Sequence, residues 1–113
     1  MEYSDVRYAL NAKLLLLKTY YDLGEYETLL SLSESFRQYL QRKKEISDFN
    51  RKGYYGLLKF TRKIFQIKMK VGYVAAERSR KDLQKLQIEM DTAKVRFSRS
   101  WLEGKVQEVA ALL

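Results

Sequence analysis

Four lysines, Lys52, Lys59, Lys63 and Lys70, recur at intervals of seven, four and seven residues. On a helix that spacing sets all four within one narrow arc, with Arg51 and Arg62 beside it. A row of ammonium groups attracts anions: nucleic-acid phosphates, an anionic membrane surface or acidic peptides. The same row also describes the solvated face of an ordinary amphipathic helix. Arg42, Lys43 and Lys44 extend the charge, or stabilise the negative end of a helix dipole. Nucleic-acid binding needs exposed aromatics for stacking as well; Tyr55 and Tyr73 are candidates for exposure, and nothing in the sequence distinguishes them.

Other residues invite chemistry and give less. Gly53-x-x-Gly56 after Lys52 has the form of a backbone-clamping loop, but that loop needs strands around it. Inside a helix, the two glycines predict the close approach of another helix. Glu25 with Glu27, and Glu89 with Asp91, are paired carboxylates without a metal motif, phosphate loop or nucleophile–base pair. The chain has no histidine and no cysteine, so the commonest general base, thiol catalysis and thiolate metal sites are excluded. We expect no enzyme, no cofactor and no metal. Asn11 and Lys18, seven apart, share one face of the first helix. Trp101, the only tryptophan, has the spacing of a core residue; its alternative role is an interface anchor.

The elements that must carry these residues are helices. Proline is absent, Leu, Lys, Arg, Glu and Gln abound, and apolar residues repeat at three and four rather than two. The first helix is predicted from Ser4, as cap, to about Leu23, with Val6, Leu10, Leu14, Leu17 and Tyr21 on one stripe. The second runs from about Tyr26 to Arg42, with Tyr26, Leu29, Leu32, Phe36 and Leu40 inward. The third starts at Ser47–Asp48 and reaches about Lys70, its stripe being Phe49, Gly53, Leu57, Phe60, Ile64 and Ile67. Gly72 stops it. A fourth begins between Val74 and Ser79, with Ser79-x-x-Asp82 resembling a capping box. Its stripe Leu83, Leu86, Met90, Ala93, Phe97, Trp101 is uninterrupted, but Thr92 and Ser100 are candidate caps. We expect a break near 91–99 and five helices in all, the last ending at about Ala111.

Between the first two helices stands TYYDLGEYETLL. Its glycine supplies the left-handed conformation that ends one helix, and the short turn makes the next antiparallel. Leu16, Tyr20, Tyr21, Gly24, Glu25 and Tyr26 resemble helix A, the turn and early helix B of a tetratricopeptide repeat, a family with a period of about 34 residues. Lys13, Leu17, Leu29, Phe36 and Gln41 stand where that family usually has its tryptophan, first glycine, two small residues and closing proline. The resemblance covers residues 10–43. The whole chain is similar to the C-terminal region of uncharacterised bacterial members. It implies an all-α fold of antiparallel helical hairpins stacked as a right-handed array. It also implies that Asn11, Leu14, Lys18 and Tyr21 face a concave groove that grips peptides, unless a neighbouring helix fills it. Such repeats stack on neighbours, so the chain is expected to be a fragment or the C-terminal end of a longer protein. Residues 1–44 would form a repeat-like hairpin, and 45–113 a degenerate second hairpin with a capping helix.

The chain has 113 residues and a net charge of +8, unevenly placed. Residues 1–36 are net acidic, whereas residues 37–81 carry fourteen basic and three acidic side chains. No apolar run approaches the ~18 residues of a membrane span. A cytoplasmic protein is expected. Its expected function is a non-catalytic interaction or scaffolding module for a protein or peptide, acidic ones included, through Asn11, Lys18, Tyr21, Lys52, Lys59, Arg62, Lys63 and Lys70. The alternative is a basic helical module that binds nucleic acid or an anionic surface through the lysine row.

Overall fold

The computed structural model describes residues 3–113, with side chains from Asp5 onward. It is all-α, with five helices: α1 (Tyr3–Asp22), α2 (Tyr26–Arg42), α3 (Asp48–Lys70), α4 (Ala76–Ala93) and α5 (Arg99–Ala111). The Ser4 side chain, the expected first cap, lies outside the described residues. Two compact units divide the chain, Met1–Lys52 and Gly53–Leu113.

In the first unit α1 packs on α2. Gly24 takes φ +72° and donates its N–H to the Tyr21 carbonyl at 3.0 Å, while Glu25 N–H reaches the Tyr20 carbonyl at 2.9 Å. That pair of bonds satisfies carbonyls the end of a helix otherwise leaves open. Val6, Leu10, Leu17 and Tyr21 of α1, and Leu29, Phe36, Tyr39 and Leu40 of α2, are buried, close to the predicted stripes. The carboxyl end of α2 is held by Arg51. Its guanidinium donates to the carbonyls of Leu40 (2.7 Å), Lys43 (3.0 Å) and Ile46 (2.9 Å), and to the Asp48 carboxylate. Ser47 caps α3 as expected, its Oγ accepting from Asn50 N–H at 3.1 Å.

The second unit contains the rest of α3 with α4 and α5. Gly72 lies in the turn after α3 at φ +88°, and the Tyr73 and Val74 N–H groups close that turn on the Lys70 carbonyl at 2.9 and 3.1 Å. Leu57, Phe60, Ile64, Leu83, Leu86 and Met90 are buried. The break between α4 and α5 falls where expected, at residues 94–98. Its chemistry differs from the expectation: Thr92 sits inside α4 and Ser100 inside α5. The turn is made instead by Lys94 and Ser98, both left-handed at φ 52° and 54°, with Val95 buried between them. Ser79 is likewise no cap, because α4 already begins at Ala76 and buries Ser79 as its fourth residue.

The two glycines of α3 separate. A Cβ on Gly53 would lie 2.5 Å from a ring carbon of Phe97, whose ring packs against Tyr54 at a 37° tilt with centroids 4.6 Å apart. Around Gly56 there is open space. The close approach predicted for both exists only at Gly53, and the approaching group is the turn after α4, not a helix. Phe49, expected inside, is 64% exposed.

Candidate binding surfaces

The first unit presents an apolar face that its own packing leaves uncovered. Tyr8, Ala12, Leu15, Leu16 and Thr19 are exposed along α1, and Leu23 just past its end continues the line. Tyr8 is 79%, Leu15 67% and Leu23 68% exposed, against 0% for Leu17 on the opposite side. Helical spacing puts these residues on one stripe opposite the buried one. The Thr19 hydroxyl is turned back to the Leu15 carbonyl at 2.8 Å, so its methyl adds to the apolar line. Asn11 is exposed and Lys18 half-buried; by helical position both border this stripe. Tyr21, the last of the four residues of the expected groove, is buried at 2% exposure and so belongs to the packed side of α1. Nearby, Lys13 and Lys43 place their ammonium groups 4.8 and 5.5 Å from the centre of the Tyr39 ring. Burial, with Glu45 adding repulsion, holds the Tyr39 phenol above its ordinary pKa.

The lysine row of α3 is partly spoken for. Lys52 ends the first unit and is exposed. Arg51 does not join the row: its guanidinium is spent on the end of α2. In the second unit Lys59, Arg62 and Lys70 are exposed. Lys63 crosses to α4, donating to Glu89 Oε2 at 2.8 Å. That hydrogen bond holds the Glu89 carboxyl below its usual range against the opposing cost of desolvation, with Lys63, Lys59 and Lys85 adding attraction. Beside this pair α3 and α4 enclose a groove of about 220 Å³. Lys63, Gln66, Ile67 and Lys70 line one side; Asp82, Lys85, Leu86 and Glu89 line the other. Lys70 and Lys85 form no salt bridge among the described residues.

Among the described residues no three acidic side chains converge in a way that would hold a metal ion. No helix among them is long and apolar enough to cross a membrane. Two features escaped the sequence reading. Lys85 and Asp82 belong to the groove only because α4 folds back along α3. The exposed stripe of α1 was signalled by Leu14–Leu17, since four consecutive leucines cannot all point to one side. No protein-family model matches the chain, and neither curated proteins nor solved structures provide a match.

Proposed function

We propose that the chain is a non-catalytic interaction module, a tetratricopeptide-like helical scaffold that docks an amphipathic helix of a protein partner on the outer face of α1. One observation carries this reading: the stripe through Tyr8, Leu15 and Leu23 is large, apolar and exposed on a helix whose other side is fully packed. Covering one such side chain is worth about 1.5–3 kcal/mol, so several together supply a binding surface. A straight line of side chains along a helix complements the ridge of another helix better than it complements a flat sheet. Asn11 and Lys18 supply the polar rim that sets register and speed of encounter. The absence of cysteine suits a reducing compartment such as the cytoplasm.

The test is a photo-reactive amino acid placed at Leu15 in the source cell, with the exposed α2 residue Gln38 as the control position. A discrete cross-linked protein is expected from position 15 alone, and it should vanish when Leu23 is changed to Glu. Identical adducts from both positions, or none from position 15, would overturn the reading. The competing class, a polyanion bound by Lys59, Arg62, Lys63 and Lys70, draws on the other unit and is separated by salt. Phosphate neutralisation weakens steeply as salt rises, whereas an apolar helix contact does not.

A further inference from the structure

We propose that the turn between α3 and α4 is a membrane-docking wedge: Tyr73 enters the headgroup layer of an anionic bilayer while Lys70, Arg78 and Lys85 bind lipid phosphates. The turn reads Val71-Gly72-Tyr73-Val74-Ala75, five residues without a charged side chain. Tyr73 is 88% exposed and Met69, just before the turn, is exposed as well. The turn does not depend on that ring, because its backbone is closed by the bonds to the Lys70 carbonyl and by Val71 N–H on the Lys68 carbonyl at 3.2 Å. An apolar, aromatic loop tip departs from the polar composition that solvated turns normally have. A tyrosine, apolar in its ring and polar at its hydroxyl, is suited to the water–lipid boundary.

Charge completes the picture. Residues 68–85 hold six basic and two acidic side chains. One acid, Glu77, lies 3.8 Å from Lys81. The other, Asp82, lines the groove and partly offsets its lysines. Lys70 and Arg78 flank the tip on its two arms, within about one helical turn of it. Behind them lies the groove lined by Lys63, Gln66, Ile67 and Lys70 on one side and Asp82, Lys85, Leu86 and Glu89 on the other; Glu89 is taken up by Lys63, which leaves Lys70 and Lys85 against Asp82 alone, with room for a phosphate group. Cations alone and one aromatic alone each give weak binding; together they are the two signals that stable peripheral attachment requires. A nucleic-acid strand is the less suited ligand. Stacking surfaces use successive aromatics, whereas Tyr73 stands between Gly72 and Val74 with no second aromatic in the turn, and the half-buried Val71 and Val74 leave it aliphatic rather than aromatic neighbours.

The experiment is co-sedimentation of the full chain with phosphatidylcholine vesicles and with equimolar phosphatidylcholine–phosphatidylserine vesicles. Binding is expected to the anionic vesicles alone and to weaken with added salt. Tyr73→Ser should lower partitioning by about fivefold, and Lys70→Ala with Arg78→Ala by more than tenfold, at about fivefold per cation. All three side chains are exposed, so circular dichroism should be unchanged. Because the chain has no cysteine, Tyr73→Cys accepts a single environment-sensitive dye. Its emission should shift blue on anionic vesicles, while a dye at the exposed Gln107→Cys should not respond. No sedimentation with anionic vesicles overturns the proposal, as does sedimentation indifferent to Tyr73→Ser. Duplex DNA binding that is equally tight and indifferent to Tyr73→Ser overturns it in favour of a plain polyanion site. None of these variants touches α1, so failure here leaves the helix-docking reading standing.

Discussion

Two glycines three residues apart in α3 show how far a single Cβ reaches. Gly53→Ala forces a methyl into the Phe97 ring and against Arg96, and the ring cannot simply swing away because Tyr54 packs against it. Overpacking of this kind costs about 1–3 kcal/mol. Gly56→Ala meets open space and gains the ordinary helix preference of alanine, about 1 kcal/mol. The same substitution should therefore lower the urea midpoint at position 53 and raise it at 56. Equal shifts in one direction would show that Phe97 does not occupy the notch. Sequence alone put both glycines in one role, because what distinguishes them is a ring more than forty residues away along the chain. Arg51 was misread for a similar reason. Beside a lysine row it looks like one more surface cation, yet three carbonyls across the α2–α3 turn converge on it.

Helix boundaries were legible wherever a local backbone requirement marked them. Gly24 and Gly72 take positive φ at the two predicted turns, and Ser47 caps α3 through its own side chain. The α4–α5 turn carries no glycine; Lys94 and Ser98 adopt left-handed geometry there, so only its approximate place was visible. Periodicity identified the buried sides of α2 and α4 well. On α1 it selected the packed stripe; Leu14–Leu17 signalled that some leucines must face away from it, but nothing local told whether another element would cover them. Pairing between helices was invisible, since Lys63 and Glu89 are linked only once α4 runs back along α3. That pair sets a pH dependence. The folded-state pKa of Glu89 is depressed, so its contribution to stability is complete at neutral pH and is lost as pH falls through the folded value. Comparing urea midpoints between neutral and acid pH, Glu89→Gln should lose stability at neutral pH and converge with the parent chain in acid. Parallel curves at all pH values would remove Glu89 from that dependence.

Over the whole molecule the charge is lopsided: residues 53–113 hold thirteen basic and six acidic side chains. Like charges gathered in one compact unit repel and weaken it, and salt screens them over a Debye length of about 10 Å at 0.1 M. The urea midpoint should thus rise as sodium chloride is added from low to physiological levels. A fall would mean that attractive pairs such as Lys63–Glu89 and Arg99–Asp91 outweigh the repulsion. The placement of the boundary between units matters in a different way. Lys52 and Gly53 are consecutive residues inside one continuous helix, with no linker between the units. Exchangeable modules in proteins are joined by pliant, exposed connectors where chains are cut, spliced or lengthened with little harm. This chain has no such seam at its division. An insertion after Lys52 would break α3, and proteases would find their footholds at the turns around Lys44 and Lys94 instead. A fragment cut at that division would carry a severed α3, so neither unit is a ready-made module.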